Sequence, residues 1–273
     1  MSDENLKPLT IMVLVKHVPD VQFDRHLDST TLRLDRAESV LSELDEYAVE
    51  AALALIEAHG GTAAGHQVIA ATMGPSSSVN SVKKALQMGA TSGVHLNDEA
   101  LAGSDALATS RALAALVKHV DGVDLVVTGM ASTDAETSLV PAQVAERLGF
   151  DQLTHAASVE FDAERRELQT TRDHGSQRLT LRAALPAVLS VTDQANDPRY
   201  PNFKGIMAAK KKTIAEVSLA EIGLDAAQAG AAGSAAEVQA VQAREAREAG
   251  TIINDSGEAG IALVDFLAAQ KLI

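Results

Sequence analysis

The 273-residue chain contains no cysteine and no tryptophan, and aromatic residues make up only 3% of it. Without thiols there can be no disulfide, iron–sulfur cluster, thiolate nucleophile or cysteine zinc site, and a cytoplasmic compartment is the simplest fit. With so few rings, the core has to be assembled from Ala, Val, Leu and Ile, within a hydrophobic content of 46%. No apolar run approaches the ~18 residues of a membrane span, and no charged-then-apolar leader opens the sequence. A soluble, unexported protein with no membrane insertion is therefore expected.

Positive charge is also scarce. Lys and Arg number 23 against 37 Asp and Glu, a formal charge of −14 that would repel a phosphate backbone. One basic triplet, Lys210 to Lys212, is too little for counterion-driven binding, so no nucleic-acid partner is expected and the triplet reads as a solvated edge. The eight histidines show no metal-ligand spacing and read mainly as surface groups. There is no G-x-S-x-G elbow, no G-x-G-x-x-G and no G-x-x-x-x-G-K-[ST], which removes the common hydrolase, dinucleotide and P-loop readings. Lacking acid–base and nucleophilic machinery, the chain reads as a carrier rather than an enzyme, with the hard chemistry left to a cofactor.

The sequence does show alternation. Short apolar runs at Thr10–Val15, Gln67–Ala71, Gly93–Leu96 and Val123–Val127 have the character of strands buried on both faces. Helical periods lie between them: Val49, Ala52, Leu53 and Ile56 share one face, as do Leu113, Leu116, Val117 and Val120. Such alternation predicts an α/β fold with a parallel sheet. After Gly149 the pattern changes to short strands near 155–161, 168–172, 178–182 and 187–191, read as hairpins added to the sheet. From Ala226 to Ala249 the chain is rich in Ala, Gly, Gln and Glu, fitting an exposed helix or a linker. An apolar terminal segment follows, Ile261 to Leu272, which needs something to pack against, either a partner or its own sheet. The expected division is an α/β nucleotide-binding domain over 1–224, including a loop at 192–212, and a linker with C-terminal arm over 225–273.

Two segments carry the functional signal. Gly129 to Pro141, GMASTDAETSLVP, follows a buried strand and precedes a helix, which is where open α/β sheets place ligands. Its hydroxyls, its glycine and the helix N-terminus suit a phosphate, although Ser and Thr there serve equally as helix caps. Met73 and Leu14 close neighbouring predicted strands and converge on the same crevice. Ser42 to Asp45 reads first as a capping box with an acidic first turn. The second segment, TDQANDPRYPNFKGIMAAKKK from Thr192 to Lys212, holds Pro198, Arg199, Tyr200, Pro201 and Phe203 ahead of Ile206 and Met207. Proline stiffens such a stretch, so a protruding loop with an apolar tip is predicted, suited to docking. Phe203 either projects as an anchor or folds inward as core.

NDPRYPNFKGIMAAKKK, together with VLVKHVPD (Val13 to Asp20), SELDEYAVE (Ser42 to Glu50), VIAATMGP (Val68 to Pro75), ALQMGA (Ala85 to Ala90), VDLVVTGMASTD (Val123 to Asp134) and the terminal LVDFLAAQKLI, resembles the β subunit of electron transfer flavoproteins, the FixA family. The resemblance covers nearly the whole chain apart from about Asp225 to Glu248. It implies a Rossmann-like three-layer sheet of the adenine nucleotide alpha hydrolase-like kind, with added hairpins and an extended C-terminal arm embracing an α subunit. It implies one FAD per heterodimer, held mainly by α, and an AMP in the β chain, or a second FAD in a bifurcating type. Carried over by motif, the nucleotide residues are Leu14, Ser42, Leu44, Met73, Gly129, Met130, Ala131, Ser132, Thr133, Asp134, Leu139 and Val140. The acidic turn at Glu43, Asp45 and Glu46 would place a phosphate nearer Thr133 to Val140. Pro198, Arg199, Tyr200, Phe203, Ile206 and Met207 would dock dehydrogenases such as acyl-CoA dehydrogenases, and Asp173 would pair with an arginine of α, or simply start a turn. A membrane quinone oxidoreductase would accept the electrons. From another class, a stand-alone adenine-nucleotide regulator or adenylating protein lacks a Ser-Gly-Gly-x-Asp-Ser loop and leaves the proline-rich segment unexplained.

Overall fold

Five residues of the first strand, β1 (Thr10–Leu14), set the architecture, because its side chains alternate between two separate apolar layers. Ile11 and Val13 enter one layer, Met12 and Leu14 the other, and Ile11, Met12 and Val13 have no exposed surface. A strand buried on both faces needs helices on both. The computed structural model, which describes residues 7–242, 245 and 250–273, supplies them.

In chain order the elements after β1 are β2 (His17–Pro19), β3 (Ser39–Leu41), α1 (Glu43–Glu57), β4 (Gln67–Met73), α2 (Val79–Met88), β5 (Ser92–Leu96), α3 (Ala106–His119), β6 (Leu125–Gly129) and α4 (Val140–Leu148). Then come β7 (Asp151–Ala156), β8 (Ser158–Asp162), β9 (Glu167–His174), β10 (Gln177–Ala184), β11 (Ala187–Val191), α5 (Phe203–Ala209), β12 (Ile214–Val217), α6 (Gly230–Gly233) and α7 (Ala259–Ala269). Seven strands form one parallel sheet in the order β12-β5-β4-β1-β6-β11-β7. Helices α1 and α2 fill one layer through Ala48, Val49, Ala52, Leu53, Val82 and Leu86. Helices α3 and α4 fill the other through Ala112, Leu113, Leu116, Val117, Val144 and Ala145. The expected three-layer α/β fold is present.

The aromatic poverty is met as composition demands: aliphatic side chains and alanines make the core, and each fully buried Leu or Val contributes roughly 1.5–3 kcal/mol. Local signals agree at α3, where the Asp105 side chain accepts from Ala108 N at 2.8 Å and Lys118 and His119 close the last turn.

Three expectations need correction. The run 187–191 is not half of a hairpin; as β11 it lies inside the parallel sheet between β6 and β7, fully buried, which its unbroken AVLSV sequence allows. Only β8, β9 and β10 form the antiparallel addition. The histidines are not mainly surface groups: His17, His66 and His95 are buried. His66 Nδ1 accepts from Leu9 N at 2.8 Å, while the rings of His17 and His95 meet Ser81 Oγ and Gly74 O, both at 2.9 Å. Finally, Lys212 is not a solvated edge, since its ammonium donates to the carbonyls of Leu86, Gly89 and Ala90 at the end of α2.

The chain divides into compact units over 1–239 and 240–273. Residues 225–236 belong to the first, where Asp105 accepts from Ala235 N and Ala236 N, and Arg111 donates to Gln228 O. Within the second unit, α7 exposes Ile261, Leu263, Val264 and Phe266. Part of the sequence expected to be linker, residues 243–244 and 246–249, lies outside the described residues. No described helix is long and apolar enough to cross a membrane.

Candidate functional site

Strand order marks a candidate crevice. From β1 the chain moves to β4 and β5 on one side, then returns to β6 on the other, so crossovers diverge between β1 and β6. At such a switch point the loops leaving two carboxyl ends part and open a crevice. Leu14 ends β1, Gly129 ends β6 and Met73 ends β4, and these three strands are neighbours. Ser42 and Leu44, at the start of α1, stand beside them because Leu44 packs against Gly129.

That contact explains the glycine. A Cβ on Gly129 would lie 2.7 Å from both Leu44 O and Asp45 Oδ1, closer than any real Cβ contact. The expected capping box is not formed. Ser42 occupies the N-cap position without a side-chain cap bond, and Asp45 turns inward instead, accepting from Lys16 N at 2.7 Å. Burial pushes the Asp45 carboxyl up to about 7, opposed in part by backbone N–H groups of Lys16 and Gly129 and by the Lys16 charge. Asp45 therefore knits three segments together rather than merely serving the helix dipole.

Asp134 behaves oppositely. Burial alone would raise its carboxyl, but the Lys16 charge and hydrogen bonds from Lys16, Ser132 and Arg36 hold it well below the usual carboxylate range. Lys16 Nζ lies 2.9 Å from Asp134 Oδ1 and 3.3 Å from Ser132 Oγ. Arg36 reaches the other carboxylate oxygen, and Arg25 donates to Thr133 O at 2.6 Å. These cations sit on the segment that leaves β1 and runs through the β2–β3 pair. Sequence reasoning missed all three: Lys16 stands inside the VLVKHVPD motif, but nothing periodic marks Arg25 or Arg36.

Within the loop from Met130 to Leu139, Glu136 and Ser138 adopt left-handed backbone conformations (φ 50° and 53°). Such strain in non-glycine residues persists where surroundings enforce it, and the Glu136 N–H is taken up within the loop by Ser132 O at 2.9 Å. The Thr133 and Ser42 hydroxyls are buried with no hydrogen-bond partner among the described residues. Unpaired buried hydroxyls, a helix N-terminus at Val140 and a nearby ammonium fit an anionic group such as a nucleotide phosphate. Met130, Ala131 and Ser132 are half-buried, whereas Leu139 is exposed on the rim. No group of three His, Asp or Glu able to hold a metal occurs among the described residues.

The proline-rich segment is a separate surface. Its tip is helical rather than a bare loop: α5 begins at Phe203, capped by Asn202, whose side chain accepts from Gly205 N at 2.8 Å. Phe203 is 79% and Tyr200 89% exposed, and Ile206 and Met207 are also exposed. Phe203 is therefore not core. Pro198 is half-buried at the base. Arg199 does not project; its guanidinium is bound to Glu50 and Glu57 of α1. Asp173 belongs to β9 rather than a turn and pairs across the hairpin with Arg178 at 2.8 Å.

The chain is similar to known proteins over nearly all of this structure. The model of the electron transfer flavoprotein domain matches residues 31–222. An electron transfer flavoprotein subunit beta from Mycobacterium tuberculosis is 42% identical over 265 residues, covering 96% of this chain and 99% of that one. A protein of the same description from Megasphaera elsdenii is 30% identical across 97% of this chain and 100% of its own length. Protein FixA of Azorhizobium caulinodans is 34% identical across 79% and 77% respectively.

Proposed function

The chain belongs to the electron transfer flavoprotein family, and on that premise we propose that it acts as the β subunit of a heterodimer that carries electrons from dehydrogenases to a quinone oxidoreductase. The FAD lies mainly on the α subunit and supplies the one- and two-electron chemistry. The β chain holds an adenine nucleotide and presents the surface on which a dehydrogenase docks. The observation that carries this reading is the exposed Tyr200 and Phe203 pair at the start of a capped helix, since large aromatics left in water on a firm base mark binding surfaces.

In the crevice, the N–H groups at the start of α4 near Val140 and the hydroxyls of Ser132 and Thr133 would receive the phosphate. Lys16 lies close enough to Ser132 to balance its charge. Met73, Leu14 and Leu44 would form apolar walls, with Met130, Ala131 and Leu139 around the mouth. AMP is the favoured nucleotide because no FAD fingerprint of the chain's own accompanies the loop. Asp173 would exchange its exposed partner Arg178 for an arginine of α, a swap of low cost because surface ion pairs contribute little.

The test is to purify the chain alone and with its α partner, then identify released nucleotides by chromatography. The chain alone should be colourless and the heterodimer yellow, releasing one FAD and one AMP. Two FAD per heterodimer would replace AMP in this reading and point to a bifurcating type.

A further inference from the structure

Beyond its entry at Thr192, which donates to Ala156 O, the docking segment is fastened to the body at four places. Asn196 Nδ2 donates to Tyr47 O at 3.0 Å. Arg199 reaches both Glu50 and Glu57. A Cβ on Gly205 would lie 2.5 Å from Gln87 O, so α5 approaches α2 as closely as backbones permit. Lys212 closes the segment on the end of α2.

Of these four, the Arg199 fastening is the most fully built. Glu50 and Glu57 are seven residues, two turns, apart and share a face of α1. Arg199 Nε and Nη2 meet the two oxygens of Glu50 at 2.7 and 2.8 Å, Nη1 and Nη2 meet those of Glu57 at 2.6 and 2.8 Å, and Arg199 N adds a bond to Glu50 at 3.1 Å. Glu50 is buried, so without this arginine its carboxylate would be desolvated and unpaired. Only a planar fork meets both oxygens of two carboxylates at once; a lysine ammonium, with three donors, cannot make all four bonds. All three guanidinium nitrogens are therefore engaged within the chain, using four of the five N–H donors and leaving a single one on Nη1.

We propose that Arg199 is a positioning residue for docking: its clamp on Glu50 and Glu57 holds Tyr200 and Phe203 in the pose a dehydrogenase receives, and it does not itself touch that partner. The proposal rests on the docking reading given above. A held segment has no ordering entropy to lose on binding, whereas a released one binds only in the fraction of time it spends in the competent pose. If release leaves that pose populated about one-tenth of the time, apparent affinity falls about tenfold.

The experiment uses the purified heterodimer as electron acceptor for an acyl-CoA dehydrogenase, with hydrogen exchange of the amides over 199–205 measured in parallel. Arg199→Ala and the paired change Glu50→Met/Glu57→Ala should both raise KM for the heterodimer about tenfold with kcat within twofold, and both should speed amide exchange in the segment; α1 exchange should stay as it was in the glutamate variant, where no buried carboxylate is left unpaired. In Phe203→Ala, adding Arg199→Ala should change KM little further, because the group being positioned is gone. Arg199→Lys, which keeps the charge, should behave like Arg199→Ala and serves in its place if that variant folds poorly. A raised KM in Arg199→Ala beside an unchanged KM in the glutamate variant would show direct contact and overturn the proposal. So would full additivity with Phe203→Ala. If Phe203→Ala alone leaves KM unchanged, the docking reading falls and takes the positioning role with it; a raised KM there with none in Arg199→Ala removes the positioning role alone.

Discussion

Helix α1 serves two regions that treat charge in opposite ways. At its N-terminus, Asp45 is buried against Lys16 and Gly129, and Asp134 is sealed between Lys16 and Arg36, so charge is drawn inward to shape a recess. About two and four turns further along, on its other face, Glu50 and Glu57 draw in an arginine so that Tyr200 and Phe203 stay outside. Around the strand-end loop these ions hold Ser132 and the Thr133 backbone in place. On the proline-rich segment they fix the base of an exposed apolar tip. The same charge-assisted bond thus gives two kinds of site, depending on whether it lines the surface or anchors it.

The largest effect that would break this comparison lies at Gly129. Gly129→Ala should destabilise the chain by about 3 kcal/mol, because the displaced atoms are the Leu44 carbonyl and a buried carboxylate rather than a flexible tip. Urea unfolding measures it; a wild-type midpoint would mean that α1 and β6 do not approach as described.

Next comes the pH dependence of Asp45. Its carboxyl is raised from the ordinary value to about 7, so between about pH 4 and that value the folded chain holds a proton the unfolded chain has released. Stability from this residue accordingly falls as pH rises through that window. Asp45→Asn should flatten the decline in melting temperature between pH 5 and 8 and relieve roughly 2–4 kcal/mol at the alkaline end. Asp134 works with the opposite sign: held low, it contributes stability above the unfolded carboxylate value and loses it as pH falls toward strong acid. A slope that persists in Asp45→Asn would assign the titration elsewhere.

Phe203→Ala should weaken dehydrogenase binding by about 2 kcal/mol while shifting stability by no more than about 0.5 kcal/mol, since the ring is exposed. The separation sharpens the contrast with Gly129, where stability and nucleotide content fall together. Thr133→Leu should lower nucleotide occupancy in the heterodimer with the supporting strand intact; full AMP content with normal assembly would place the phosphate elsewhere. Smallest of all, Asp173→Asn should leave the melting temperature unchanged, because its pair with Arg178 is open to solvent, and alter only the association with α.

The periodic parts of the chain were readable in advance. β1, β4, β5 and β6, with α1 and α3, were legible because a strand or helix buried against the core imposes its period on the residues that make it. The GMASTD loop was readable as a strand-to-helix junction. Less legible was β11, whose partners are far along the chain and whose neighbourhood resembles the hairpin beside it. Asp45 misled for a related reason: its place in the first turn suggests capping, and only the approach of Gly129 turns it into a buried link.

By itself the sequence determined an aliphatic α/β core without thiol chemistry, a strand-end loop rich in hydroxyls and a proline-stiffened segment with an apolar tip, because each is written in consecutive residues. The tertiary structure alone decided which ions face one another. Lys16 and Arg36 on Asp134, Arg25 on the Thr133 carbonyl and Arg199 on Glu50 and Glu57 are each separated by dozens of residues or more. A charge carries no period, and its partner is chosen by what the folded core brings within a few ångströms.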